Sequence, residues 1–248
     1  MKNFEEIRIH KYLSEQGVMS RRSAEEAIKR GKITVNGQKA FVGQKIIPGT
    51  DKITVGGVAV AHKTQTERKN KKIYIMLYKP AGIITTMSDD KGRKCISDIL
   101  NKSDFDERIY PAGRLDMYSE GLLILTNDGE IANKIMHPKH EISKIYHAVI
   151  KTELSRDIIK KLAEPIEIDG KKTSPAKISV IEMKNNKTKL RIEIFEGRNR
   201  QIRRMCENLD LVVLKLKRVC AGKLNIGTLK PGQWRHLSRS EINYLKEF

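Results

Sequence analysis

Much that would announce a cofactor, a membrane or an exported fold is missing from this chain of 248 residues. Cysteine occurs three times, at Cys95, Cys206 and Cys220, without a Cys-x-x-Cys spacing. That odd count argues against a disulfide framework or a zinc-thiolate site and fits reduced thiols in a cytosol. No apolar run approaches the ~20 residues that a membrane helix needs. The opening MKNFEEIRIHKYL carries acids early and no secretory apolar stretch, so no export signal is expected. There is no Gly-x-Gly-x-x-Gly turn and no P-loop, so neither a dinucleotide nor a nucleoside triphosphate is implied. The one metal-like cluster, His137, His140 and Glu141, is broken by Pro138 and reads as a helix-end surface group, not a ligand set. The expectation is a cytoplasmic monomer with no cofactor, no metal and no membrane association.

Acidic residues are also scarce: 30 Asp and Glu stand against 49 Lys and Arg, a net charge of +19. Such a charge repels itself in the folded state, and its usual reason is a polyanionic partner, because each cation set against a phosphate releases condensed counterions. A membrane surface would call for a basic amphipathic helix with bulky apolar anchors, and there is none. The excess is spread along the chain, at +5 over residues 1–62, +4 over 63–72 and +10 over 73–248. No single tail explains it, which points to an extended basic surface.

From His62 to Lys72 (HKTQTERKNKK) no aliphatic or aromatic residue occurs. A stretch that can bury nothing reads as a solvated linker over 63–72, the alternative being a long hairpin loop within one domain. The linker divides the chain into units at 7–62 and 73–248. In the first, IHKYLSEQG closes on Gly17, a natural residue for a helix C-terminus, and Ser20 offers an N-cap for RRSAEEAIKR. Ala24, Ala27 and Ile28 share one face of that second helix, and Gly31 stops it. KITVNGQKA then carries Asn36-Gly37, a type I′ hairpin signal, and TDKITVGGVAV repeats the device with Gly56-Gly57. These parts make a small α+β module. Arg8, Lys11, Arg21, Arg22, Lys29, Arg30 and Lys32 fall in or beside its two helices. A charge run is ordinarily a solvated face. Here acids are few around Ser20 and the module is too small to need so many cations for solubility. The face suits the phosphates of a structured RNA. The segment HKYLSEQGVMSRRSAEEAIKRGKITVNGQKA, continuing through GQKIIPGTDKITVGG, resembles the S4 RNA-binding domain.

The second unit opens with the apolar strand IYIMLY before Pro80 and Gly82. Further strands are expected at 121–126, 144–150, 176–182 and 188–195, and helices near 130–137, 155–163 and 199–208. That order lacks a steady βαβ rhythm, so the fold class is α+β, with a mixed, mostly antiparallel sheet flanked by helices. Within PAGRLDMYSEGLLILTNDG, Arg114 and Asp116 flank one leucine where a loop feeds a strand that ends in the turn sequence Asn127-Asp128-Gly129. A carboxylate there is either an ordinary turn residue or a reactive group. In EGRNRQIRRMCENLD, Ile202, Met205, Cys206 and Leu209 recur at helical spacing, a buried stripe. Arg204 points away from the stripe, and Arg203 lies about 100° from Ile202, at the border of core and surface. From there a guanidinium can reach a carboxylate in a cleft while its stem stays packed. Surface exposure is an adequate reading of Arg198 and Arg204, less so of Arg203. In SKIYHAVI, alternation sets Lys144, Tyr146 and Ala148 on one face of a strand, where spacing alone makes Tyr146 a half-buried sheet tyrosine.

Together YKPAGIITTMSDDKGR, GRLDMYSEGLLILTNDGEIANKIMHP, KIYHAVI, EGRNRQIRRM and LKRVCAGKLNIGTLKPGQWRHLSRSEI occur in the order that resembles the RsuA/RluB-type family of ribosomal RNA pseudouridine synthases. The Arg-Asn-Arg-Gln-Ile-Arg-Arg run is similar to the members acting on the large-subunit (23S) rRNA. The resemblance implies a cofactor-free isomerase with Asp116 as its essential carboxylate, acting on C1′ or taking the 2′ proton. It implies Arg203 as the arginine pairing with Asp116, Tyr146 as the tyrosine stacking on the target base, and Arg114 as the residue filling the space the flipped uridine leaves. Arg198, Arg200 and Arg204, with Arg8, Lys11, Arg21, Arg22, Lys29 and Arg30, are the expected RNA contacts. The expected partner is 23S rRNA or an assembling large subunit. A non-catalytic S4-containing assembly factor is the alternative. An S4-tethered methyltransferase lacks its glycine-rich loop.

Overall fold

The computed structural model describes residues 6–62, 72–100, 104–105 and 107–247. It divides into two compact units, Met1–Lys71 and Lys72–Phe248. Except for Lys72, the linker expected at 63–72 lies outside the described residues.

In the first unit, strand β1 (Ile7–Arg8) leads into helices α1 (Ile9–Glu15) and α2 (Arg21–Lys29), followed by β2 (Ile33–Val35), β3 (Gln38–Lys39), β4 (Lys45–Ile46), β5 (Ile53–Val55) and β6 (Val58–Ala59). Gly17 takes the left-handed conformation after α1, with φ +74°. The Ser20 hydroxyl caps α2 by accepting from the Ser23 amide at 3.0 Å. Asn36 and Gly37 both have positive φ, 51° and 83°, as a type I′ turn requires. The Asn36 side chain also donates to Asp51 at 2.8 Å and accepts from the Lys52 amide at 2.9 Å, tying one hairpin to the other. The four-stranded sheet, in order β3-β2-β5-β6, buries Ile33, Val35 and Ile53 against Ile9, Leu13, Ala24 and Ile28 of the helices.

The second unit comprises β7 (Tyr74–Lys79), β8 (Tyr110–Pro111), β9 (Glu120–Thr126), α3 (Gly129–Met136), β10 (Lys144–Ile150), α4 (Arg156–Ala163), β11 (Glu167–Ile168), β12 (Lys171–Lys172), β13 (Lys177–Lys184), β14 (Lys187–Ile194), α5 (Gln201–Glu207), β15 (Val213–Ala221), β16 (Leu224–Asn225), β17 (Trp234–His236) and α6 (Arg239–Lys246). Its main sheet runs β13-β14-β10-β15-β9-β7-β17, with β8 and β16 pairing at β9 and β15. Only β9 and β15 pair in parallel among the described strands, so the sheet is mixed and mostly antiparallel.

β7 and β9 are buried along their whole length because both faces are covered. Ile75, Leu77, Leu123 and Leu125 join one core cluster, while Tyr74, Met76, Tyr78, Leu122 and Ile124 join another. A strand covered on both faces needs no polar alternation, which is why IYIMLY and GLLILT read as continuous apolar runs. β10 and β14 alternate instead, turning Tyr146, Ala148 and Ile150 and Leu190, Ile192 and Ile194 to the core. Asn127-Asp128-Gly129 is not a free turn. Asp128 caps α3, accepting from the Glu130 amide at 3.1 Å, and its other oxygen accepts from the Tyr74 hydroxyl at 2.7 Å.

In the second unit the long elements β15 and α6, and the short strands β8, β11, β12, β16 and β17, have no counterpart in the sequence-based expectation. β15 sits at the middle of the sheet, between β10 and β9. Its contact with β9 demands glycine: at Gly121 (φ 109°) a Cβ would stand 2.2 Å from the Arg218 carbonyl oxygen. No described helix is long and apolar enough to cross a membrane.

Candidate active site

Asp116 lies in the loop between β8 and β9, and neighbouring segments clamp that loop from several sides. The Thr85 hydroxyl donates to the Leu115 carbonyl at 2.7 Å, and the Leu115 amide donates back to it at 3.2 Å. The amides of Gly82 and Ser119 donate to the carbonyls of Met117 and Asp116, at 2.7 and 3.1 Å. Beneath the loop the fully buried Lys79 ammonium donates to the carbonyls of Ile83 at 2.6 Å, Pro80 at 2.8 Å and Met117 at 3.4 Å. An ammonium has three protons, and three carbonyls face it. Burial lowers the Lys79 pKa to about 8, against the attraction of Asp116 and Glu120 and with the repulsion of Arg218. Leu115 packs into the core, so the residues on either side of it face outward.

That loop forms one wall of a cleft of about 860 Å³. Arg114 and Asp116 line it together with Tyr146 and Lys144 of β10, Arg218 of β15, and Glu196, Arg198 and Arg200 of the segment entering α5. Asp116 is half-buried, Tyr146 is buried and Arg114 is exposed at the rim. Among the described residues neither the Asp116 carboxylate nor the Arg114 guanidinium has a protein partner. Lys144 donates to the Ile142 carbonyl at 2.9 Å. Its pKa is lowered to about 8, first by burial and then by Arg218, with Glu196 opposing. The cleft therefore offers a half-buried carboxylate, Asp116, without a partner among the described residues, an aromatic ring and several cations, with the exposed Glu141 at its edge. Among the described residues no three His, Cys, Asp or Glu side chains are grouped to hold a metal ion.

The arginines of α5 depart from expectation. Arg203 does not pair with Asp116 and does not line the cleft. It donates to the Tyr118 carbonyl at 3.0 Å and the Val213 carbonyl at 3.5 Å, holding the Asp116 loop against the start of β15. Arg198 is engaged by the protein itself. Its guanidinium bonds Glu196 and the carbonyls of Ile168, Lys171 and Lys172, binding the β11–β12 hairpin to the entry of α5. Arg204 pairs with Asp169 at 2.9 Å and Arg200 with Glu207 at 2.7 Å, both near the surface. The helix itself follows its stripe: Ile202, Met205 and Cys206 are buried and Leu209 packs beside them. Burial pushes the Cys206 thiol up to about 12. In the first unit, Arg8, Lys11, Arg21, Arg22, Lys29 and Arg30 are all exposed. Among the described residues only Lys11 of these makes an ion pair, with Glu15 at 3.7 Å.

Two cleft cations, Lys144 and Arg218, and Lys79 beneath the Asp116 loop were not among the residues expected at the site. The signal for Lys79 is a lysine closing an unbroken apolar run. For Arg218 it is the alternation Leu214-Lys-Leu-Lys-Arg218, which marks a strand with Leu216 and Arg218 on one face.

The RNA pseudouridylate synthase family model matches residues 73–208, and the S4 domain model matches residues 7–50. The chain is 42% identical to the ribosomal large subunit pseudouridine synthase B of Bacillus subtilis, over 96% of this chain and 95% of that protein. It is 34% identical to the dual-specificity RNA pseudouridine synthase RluF of Escherichia coli, over 95% of this chain and 77% of that one. A solved pseudouridylate synthase superimposes with a TM-score of 0.68 at 27% identity, covering 96% of this chain and 99% of that one.

Proposed function

The chain belongs to the RNA pseudouridylate synthase family, and we propose that it converts a uridine of large-subunit ribosomal RNA to pseudouridine, with Asp116 as the catalytic carboxylate. The observation that carries the residue assignment is the unpaired Asp116, held on a clamped loop in a cleft that also contains Tyr146. The choice of rRNA rests on the name of the Bacillus subtilis relative.

The reaction breaks the N1–C1′ bond, turns the base and joins C5 to C1′. A uridine within folded RNA must first leave its stack, at a cost of a few kcal/mol. Arg114, exposed and without a partner among the described residues, fills the vacated space. Tyr146 stacks on the extruded base and keeps water from it. Asp116 then either bonds C1′ or accepts the 2′ proton on the way to a glycal. A carboxylate fixed in a partly dry cleft serves for both. Arg203 is a positioning residue, acting through the Tyr118 carbonyl two residues beyond Asp116. The exposed cations of the first unit bind RNA phosphates. The surface pairs of Arg200 and Arg204 are weak enough to exchange for phosphate. The protein acts as a monomer in the cytoplasm, on free rRNA or an assembling large subunit. No observation favours a binding-only role.

The test is tritium release from large-subunit rRNA labelled with 5-³H-uridine. Wild type is expected to release tritium and Asp116→Asn to release none while still binding the RNA. Silence from wild type on free rRNA and on immature subunits would overturn the proposal.

A further inference from the structure

Arg218 is the most deeply placed charge in the cleft that lacks an anion. It is 7% exposed, and its Nε donates to the Leu122 carbonyl at 2.8 Å. Its two terminal nitrogens have no protein partner among the described residues, and Arg218 makes no ion pair there. A guanidinium cannot shed its charge in a protein, so burial without an anion is unfavourable unless a ligand completes it. Two further cations, Lys79 and Lys144, stand close enough to repel it. Asp116 lines the same cleft with its carboxylate also unpaired. Opposite charges that share a cleft without meeting leave room for something between them.

The sheet register says what lies there. Arg218 is the direct cross-strand partner of Tyr146, and both line the cleft. Directly opposed residues of an antiparallel pair stand ~5 Å apart at Cα, with their side chains on one face. A base stacked on Tyr146 therefore lies beside the terminal nitrogens of Arg218. At this depth those nitrogens meet the base and not the backbone phosphates. Their direction is fixed beforehand by the Nε bond and by the glycine contact of β15 with β9.

We propose that Arg218 is a catalytic residue that donates hydrogen bonds to the uracil oxygens and stabilises the negative charge that collects there as the glycosidic bond breaks. The inference rests on the synthase reading above. When N1–C1′ breaks, its electron pair stays with uracil and spreads over N1, O2 and O4. C1′ is satisfied either by a bond to Asp116 or by a double bond to C2′ as the 2′ proton leaves. C5 then bonds C1′ as the Asp116–C1′ bond breaks and the carboxylate leaves, or, from the glycal, as Asp116 returns its proton to C2′. The proton on C5 is lost and N1 regains one. Arg218 stays protonated throughout and only donates.

The test compares wild type, Arg218→Met and Arg218→Lys in single turnovers on large-subunit rRNA transcripts containing uridine or 5-fluorouridine. In both it reads the disappearance of the N1-linked nucleotide, a step that does not need the C5 proton, since C5 of 5-fluorouridine keeps its fluorine. Fluorine withdraws electrons and makes the departing base a weaker base, so it needs less help. Arg218→Met is expected to slow uridine conversion by about 10²-fold, the usual loss for one donor to a developing oxyanion. RNA affinity should stay within about threefold, and with 5-fluorouridine the rate deficit should shrink to about tenfold or less. Arg218→Lys, which keeps the charge but not the planar fork, should show the same pattern with a smaller loss, and decides the matter if the methionine variant does not fold. A wild-type rate in the variants, an equal deficit for both substrates, or a loss confined to RNA affinity would each overturn the assignment. Inactive wild type on both transcripts would overturn the synthase reading itself, so the two failures are distinct.

Discussion

The two units use cations in opposite ways. Around the helices of the first, Arg8, Arg21, Arg22, Lys29 and Arg30 stand exposed and unpaired among the described residues. Around the cleft of the second, Lys79 is surrounded by carbonyls, Arg198 is bonded to four partners and Arg203 spans two segments. An exposed unpaired cation is available to a phosphate at little cost. A bonded one holds the fold together, and a phosphate would have to displace protein partners to reach it. Net charge counts both alike.

Substitutions can break that contrast or sharpen it. The largest effect belongs to Asp116→Asn, which should reduce isomerisation to background while RNA binding by filter retention and its salt dependence stay as in wild type. Arg203→Lys comes next. A lysine lacks the fixed two-nitrogen fork with which Arg203 reaches the Tyr118 and Val213 carbonyls, so it cannot reproduce both bonds in the same geometry. A loop displaced by an ångström costs about 10²-fold in rate. Single-turnover kinetics with unchanged RNA affinity would bear out its role, and a change in affinity alone would count against it.

Arg198→Ala should lower stability by about 3 kcal/mol, since it strips charged hydrogen-bond donors from several carbonyls. Denaturant titration measures this, and an RNA salt slope that falls instead would return Arg198 to the RNA-contact set. Lys79 predicts a pH dependence. Its folded pKa is depressed to about 8, so from about pH 8 to 10 the unfolded chain holds more protons than the folded one and stability rises with pH. The full window corresponds to roughly 3 kcal/mol, using 1.4 kcal/mol per tenfold change. Above pH 10 the slope turns over, because burial raises the Tyr78 pKa to about 12 and raises that of Tyr74 as well. Urea midpoints that fall steadily from pH 8 to 10 would contradict this. The smallest effects come from the outward cations: Arg21→Gln and Arg22→Gln should each weaken RNA binding several-fold and lower the salt slope by about 1, with the thermal midpoint unmoved.

The first unit was almost wholly legible because its structure is local. Gly17, Ser20 and Asn36-Gly37 act on residues within a few positions of themselves, and each does what its chemistry demands. In the second unit β10, β9, α3, α4 and α5 were found by their periodicity to within a residue or two at most ends. β15 was not. Its VLKLKRVC carries too many cations to look like a central strand, yet it is central, with Leu216 and Arg218 turned inward and Lys215 and Lys217 outward. Around Asp116, the choice of loop and tyrosine was open to a reader of motifs. The partner of Arg203 was not, because which carbonyl meets a helix-border guanidinium depends on where β15 begins.

By itself the sequence determined the division into two units, the caps and turns of the first, the basic character and the loop that carries Asp116, all of them consequences of local chemistry or composition. Only the tertiary structure decided which cations are available. Burial and pairing are set by strands far apart in the chain: Lys79 meets Met117, Arg203 meets Tyr118, and Arg218 reaches the cleft because β15 docks against Gly121. No spacing along one strand encodes those meetings.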